Sequence, residues 1–284
     1  MLLALYMHPC HRPHIIGADT VRSDPALPVE EYIDSFGNRC GRLTALAGRL
    51  HIWSHAAVDV SGLQDEISPY AVQHPLDELP TNTLVFLLAS RYCESDRLLQ
   101  TAWQLFSYTT PGWQRVQAIC DWVHRNVTFG YQYARNNRTA WDVFNERQGV
   151  CRDFAHLAVA FCRAMNIPAR YASGYLGDIG VPFDPSPMDF SAWFEVYLGG
   201  RWYTFDARHN QPRIGRILMV RGRDAADTAI TTAFGNNTLV SFRVWADELK
   251  ADRPLPDIYT AGSDGFGSFP PVPSHTAIRA VENP

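Results

Sequence analysis

One cysteine in this chain stands where it could act as a nucleophile. Cys151 follows Arg147-Gln148-Gly149-Val150 and is followed by Arg152-Asp153-Phe154-Ala155-His156-Leu157; Ser191-Ala192-Trp193 and then Phe205-Asp206 come later. A thiol attacks an amide carbonyl well only as the thiolate, so a catalytic cysteine needs a helix N-terminus or a nearby cation to lower its pKa. The run from Val150 to Met165 carries Phe154, Leu157, Ala158 and Phe161 at helical spacing and ends at Asn166-Ile167-Pro168. Cys151 is therefore expected in the first turn, where unpaired N–H groups and the helix dipole favour negative charge. Gly149 allows a tight turn and close approach by a substrate. The plain alternative is that Cys151 is a buried small hydrophobe, as most free cysteines are.

The partners of such a thiol are sought in residues 189–210. Two aromatic-rich strand candidates, 192–198 and 201–206, flank Gly199-Gly200, the signal for a two-residue hairpin. If Leu198 faces Arg201, Trp193 lies opposite Asp206 and Ser191 opposite Arg208. Ser191 and Asp206 are then diagonal neighbours on one face. A base at position 191, oriented by the carboxylate of Asp206 and aimed at Cys151, would complete a nucleophile–base–orienter triad.

These residues resemble the transglutaminase-like superfamily of papain-like cysteine enzymes, in its bacterial branch. The resemblance rests on Gly149-Val150-Cys151-Arg152-Asp153 with its helix, and on Ile167-Pro168-Ala169-Arg170-Tyr171 leading to Ser173-Gly174-Tyr175. It continues through Ala192-Trp193-Phe194-Glu195-Val196-Tyr197 and Trp202 to Asp206, so that it covers residues 95–210. It implies that Cys151 is the nucleophile and Asp206 the orienting acid, and that the substrate is a peptide or protein amide. Hydrolysis of the acyl-enzyme is expected over crosslinking.

The departure is Ser191, which occupies the position of the family's histidine. A serine hydroxyl does not ionise near neutral pH and cannot serve as the general base. Three explanations stay open: another histidine substitutes, the chemistry is slow or altered, or the fold is kept as a peptide- or protein-binding module. His209 is nearest the acid, but in a regular hairpin it points to the face opposite Asp206. It could serve only if the strand breaks after Asp206, which Asn210-Gln211-Pro212 permits. His156 lies about 140° around the helix from Cys151 and reads as a hydrogen-bonded core residue; His51 and His124 carry no spacing argument. For the oxyanion, the backbone N–H of Cys151 is the first donor. Tyr131 is named as the second, ahead of Tyr133, Trp141 and Trp122.

The elements that position these residues predict an α+β fold. Residues 1–92 read as a β-rich domain, for which the resemblance implies a β-sandwich, with a proline-containing linker at 68–83. Residues 93–250 form the transglutaminase-like domain, helices first and an antiparallel sheet after, with the site at their junction. Thr139 is the expected N-cap of a short helix from Ala140 towards Arg147. The segments 228–234 and 238–246 around Gly235-Asn236-Asn237 suggest a second hairpin, and 251–284 a Pro/Gly-rich tail. The proline-stiffened loop 177–189 is placed to border a cleft, although its carboxylates also suit a solvated surface.

Composition narrows the partners. With 46% hydrophobic residues over 284 positions the chain can bury a sizeable core and is expected to hold two domains. A net charge of -4 and no basic stripe argue against nucleic acid. The opening run Met1–Met7 is too short for a membrane span and lacks a charged leader region, so no membrane role is expected. It reads as a buried strand that begins abruptly, which suggests a start further upstream or a missing first strand. The six cysteines show no Cys-x-x-Cys pair, so neither a metal nor a disulfide framework is expected, no cofactor is implied, and cytoplasmic residence follows. Cys162, on the same helix as Cys151, is assigned to packing.

Overall fold

The protein is represented by a computed structural model that describes residues 1–185 and 188–249 and the backbone of 281–283. The expected tail, but for 281–283, and Pro187 of the cleft loop lie outside the described residues.

The chain opens with β1 (Leu2–Leu3), β2 (Ile15–Asp24), β3 (Glu30–Ile33), β4 (Arg39–Arg42) and β5 (His51–Val58). Helices α1 (Ser95–Phe106) and α2 (Trp113–Asn126) follow, then β6 (Thr128–Phe129), α3 (Ala140–Glu146), β7 (Gln148–Gly149) and α4 (Cys151–Ala164). The remainder is β8 (Ala169–Leu176), β9 (Ser191–Leu198), β10 (Arg201–Phe205), β11 (Arg216–Gly222), β12 (Thr231–Thr232) and β13 (Val281–Asn283). The result is the expected α+β arrangement of helices and antiparallel sheets.

The central sheet is antiparallel with the order β10-β9-β8-β11. On one face α4 packs Phe154, Leu157, Ala158 and Phe161 against Phe194, Val196 and Phe205, in a core that also takes Leu98 and Phe106 of α1 and Ile119 of α2. On the other face Tyr175, Ile217 and Met219 share a core with Leu3, Leu5 and Ile52 from the N-terminal region. Covered on both sides, β8 is buried at every position, which explains why Ala169–Leu176 shows no polar alternation. The N-terminal strands make two further sheets, β12-β1-β4-β3 and β13-β5-β2.

Local signals act as the residue types dictate. Gly199 and Gly200 adopt φ of 53° and 88°, the left-handed values a two-residue hairpin turn requires, and set Arg201 opposite Leu198 and Phe205 opposite Phe194. Thr139 caps α3 by accepting the Asp142 N–H, and the Asp142 carboxylate accepts the Thr139 N–H in return. The hairpin expected at 228–246 does not form. Residues 231–232 instead pair with β1, because the N-terminal apolar run leaves an edge that a short strand can cover more readily than a polar Gly-Asn-Asn turn can hold a hairpin.

Candidate active site

The nucleophile candidate sits in the first turn of α4, which a buried carboxylate fastens down. Asp153 is fully buried; its Oδ2 accepts the Val150 N–H at 2.9 Å and lies 3.2 Å from the Arg138 guanidinium, while Arg152 reaches Oδ1 at 3.1 Å. Only the absence of a side chain at Gly149 admits this carboxylate, since a Cβ there would fall 2.6 Å from it. The close approach expected at Gly149 is therefore made by Asp153. Parallel pairing of Phe129 with Gly149 brings the Tyr131 turn beside the start of α4.

Helix placement does not make Cys151 a resting thiolate. Burial pushes its thiol up to about 11, against the opposing influence of Arg208; Asp189 adds to the rise, and the N–H groups of Ala192 and Arg152 counter it. Desolvation thus outweighs the helix N-terminus, contrary to the expectation from sequence. The thiol donates a long hydrogen bond of 3.7 Å to the carbonyl of Phe190.

Ser191, the first residue of β9, is buried, and its carbonyl accepts the Ser173 hydroxyl at 3.1 Å. Strand β10 ends at Phe205, and the chain turns back over 206–210, with the Asn210 N–H donating to the Asp206 carbonyl at 2.8 Å and Asn210 at φ 51°. In that turn Asp206 Oδ1 accepts the N–H groups of Arg208 and His209, each at 3.0 Å. Oδ2 accepts His209 Nδ1 and the Arg216 guanidinium, each at 2.8 Å. The carboxylate fixes the imidazole with the Nδ1 proton towards itself, which leaves Nε2 as the nitrogen able to accept a proton.

Burial would raise the Asp206 carboxyl, but the Arg216 charge and the hydrogen bonds from His209 hold it well below the usual carboxylate range. Arg216 is itself anchored at 2.7 Å to Asp65, from the segment before α1. Helix α2 secures the turn from the other side. His124 Nδ1 donates to the Arg208 carbonyl at 2.8 Å, and the Asn210 amide bridges Asp121 and Gln117.

The turn faces a shallow open cleft lined by Tyr131, Ser191, Arg208, His209 and Arg213, and by Asp178, Asp184 and Asp189 of the loop after β8. Ser191, His209 and Tyr131 thus share one cleft. Cys151 does not line it; its sulfur contacts Phe190 and Ala192, the two neighbours of Ser191. Tyr131 is half exposed and packs edge-on to Phe129. His156 is buried, accepts the Ala225 N–H at 3.1 Å and stacks on Tyr92, outside the cleft as a core residue. Cys162 is fully buried in the core. Sequence reasoning did not single out Arg208, Arg216 or His124. The pairings expected of Trp193 with Asp206 and of Ser191 with Arg208 are not made, because the β9–β10 ladder ends at Phe194 and Phe205 and the chain turns away at Asp206.

Among the described residues no three His, Cys, Asp or Glu side chains are grouped to hold a metal ion, and no helix is long and apolar enough to cross a membrane.

Comparison with known proteins agrees with this fold. The family model of the transglutaminase-like superfamily matches residues 100–207. A crystal structure from Cytophaga hutchinsonii, named a "Putative Cysteine Protease", superposes with a TM-score of 0.67 at 30% identity, over 83% of this chain and 80% of that one. An uncharacterized protein of Mycobacterium leprae is 25% identical over 232 residues, 74% of this chain and 77% of its own length. Another uncharacterized protein, from Mycobacterium tuberculosis, is 39% identical over 130 residues, 39% of this chain and 40% of its own. With the helix-start cysteine, the paired aspartate and the sheet order in place, the chain belongs to the transglutaminase-like superfamily.

Proposed function

We propose that the chain is a cysteine-dependent amide hydrolase in which Cys151 is the nucleophile, His209 the general base and Asp206 its orienting acid. The observation that carries this reading is the His209–Asp206 hydrogen bond of 2.8 Å at the wall of the cleft, which supplies an oriented imidazole where Ser191 supplies none. The likeness to a protein named as a cysteine protease supports the same class.

Because the resting thiol is protonated, attack is base-assisted and not the reaction of a preformed ion pair. As substrate enters, His209 Nε2 replaces the Phe190 carbonyl as partner of the thiol and takes its proton while sulfur bonds to the amide carbon. The carbonyl oxygen becomes an oxyanion, met by the Cys151 N–H and the Tyr131 hydroxyl. The C–N bond then breaks, the imidazolium protonates the departing amine, and a thioester remains. Water, deprotonated by the same imidazole, releases a carboxylic acid and restores the thiol. The substrate is a peptide or protein amide, and six free cysteines support a reducing, cytoplasmic setting.

A second reading is favoured by the raised thiol and by Ser191: a peptide-binding domain without turnover. The two are separated with a peptide amide substrate. The hydrolase reading expects turnover abolished by Cys151→Ala and by His209→Gln; the binding reading expects no turnover, with peptide affinity unchanged in Cys151→Ala.

A further inference from the structure

Arg216, the first residue of β11, stands between two carboxylates and divides its guanidinium between them. Its Nε donates to Asp65 Oδ2 at 2.7 Å and its Nη2 to Asp206 Oδ2 at 2.8 Å. The guanidinium lies 5.1 Å from the centre of the Trp193 ring, and the side chain is only 7% exposed. Nε and Nη2 form the edge with which a guanidinium ordinarily clasps both oxygens of one carboxylate. Here that edge is split, and among the described residues the buried Nη1 has no partner. An unpaired buried donor costs free energy, so the split is imposed by the surroundings.

Asp65 imposes it. The residue belongs to the segment between β5 and α1, where its N–H donates to the Arg213 carbonyl at 2.9 Å and its Oδ2 accepts the Arg213 N–H at 2.9 Å. Gln64 pairs with Ile214, whereas Leu63 and Ile67 on either side are exposed. The segment thus delivers a carboxylate to Arg216 without sinking either apolar side chain into a core.

The consequence falls on His209. Asp206 Oδ1 is occupied by the N–H groups of Arg208 and His209, and Oδ2 serves both His209 Nδ1 and Arg216. A guanidinium released from Asp65 would turn Nε as well as Nη2 onto Asp206 and crowd the imidazole from Oδ2. We propose that Asp65 and Arg216 are positioning residues of the site: Asp65 draws off one arm of Arg216, which keeps a place on Asp206 for His209 and so leaves Nε2 free to accept a proton. This rests on the reading of His209 as the general base.

The test has two readouts. Long-range proton–nitrogen correlation spectra of the chain with nitrogen-labelled histidine, in which the His209 signals are assigned by their loss in His209→Gln, report which ring nitrogen carries the proton. Steady-state hydrolysis of a peptide p-nitroanilide gives kcat and KM. In the parent the proton is expected on Nδ1; in Asp65→Ala it is expected to spread to Nε2. The same variant is expected to lower kcat about ten- to a hundred-fold at nearly unchanged KM, and Asp65→Glu, which keeps the carboxylate, to recover part of the loss. In a His209→Gln background Asp65→Ala is expected to cost nothing further, because it acts through the imidazole. Circular dichroism verifies folding, and Asp65→Asn replaces Asp65→Ala if the latter unfolds. A proton that stays on Nδ1 with kcat unchanged in Asp65→Ala, or a loss of kcat as large without His209 as with it, overturns the proposal. A shift of the proton in a chain whose parent shows no turnover overturns the hydrolase reading and leaves the positioning standing. Turnover that needs Cys151 and His209 but not Asp65 does the reverse.

Discussion

His209 Nδ1 lies 2.8 Å from Asp206 Oδ2, although a continuous strand would set the two residues on opposite faces of the sheet. The strand stops at Phe205, and Asp206 draws the backbone N–H and the imidazole of His209 onto its own carboxylate. His209→Gln removes the only proposed base while keeping a polar side chain, and is expected to lower turnover of an amide substrate by about 10²- to 10⁴-fold. A steady-state assay that finds the variant within a few-fold of the parent would dismiss His209 from the mechanism.

Ser191 tests the same point from the other side. Ser191→His places an imidazole where the resemblance puts the family's histidine, but Asp206 is already engaged by His209 and Arg216. The expected result in the same assay is no gain, or a loss. A clear rise in rate would show that 191 is the position the site lacks and that His209 is idle.

The thiol is the next point. Burial raises Cys151 to about 11 against the influence of Arg208, so the reactive thiolate grows with pH and stays scarce below that value. Iodoacetamide alkylation at Cys151 is expected to reach half its maximum rate near pH 11, above the free-thiol value of about 8.5. Arg208→Gln should move the midpoint higher still. A midpoint below that of a free thiol would mean a preformed ion pair.

Asp206 also enters the acid stability of the fold. Its carboxyl is held below the ordinary range, burial being outweighed by Arg216 and His209. A depressed native value contributes stability that is fully present above the unfolded carboxylate value of about 3.9 and is lost as pH falls below it. Urea unfolding from pH 6 downward is expected to show a shallower loss in Asp206→Asn than in the parent. Equal slopes would place the acid sensitivity elsewhere.

Asp153 is expected to matter for folding before chemistry. Its fully buried carboxylate serves Arg138, Arg152 and the Val150 N–H, so Asp153→Ala strands a nearly buried guanidinium. The expected cost is about 3–5 kcal/mol in urea unfolding. A cost below about 1 kcal/mol, the range of exposed ion pairs, would contradict the role given to it here.

Much of the fold could be read from local patterns because the local signals agreed. Alternating aromatics around Gly199-Gly200 gave the hairpin and its register, the spacing of Phe154, Leu157 and Phe161 gave α4, and Thr139 gave the start of α3. The hairpin around Gly235 was misread because pairing with β1 is a contact distant in sequence. The site was harder. Desolvation of Cys151 depends on the strand that covers it, and the partner of His209 is decided by where β10 stops. The roles of Arg216 and Asp65 depend on long-range contacts that no spacing reveals.

The proposed mechanism requires that Cys151 form an acyl-enzyme with His209 as its base. The most direct measurement is intact-protein mass spectrometry of the chain rapidly quenched in acid during reaction with a peptide p-nitroanilide. A mass increase equal to the acyl group, located on Cys151, absent in Cys151→Ala and formed far more slowly in His209→Gln, is the predicted result. No adduct on Cys151 under conditions where p-nitroaniline is released, or an adduct that forms as fast in His209→Gln, would contradict it.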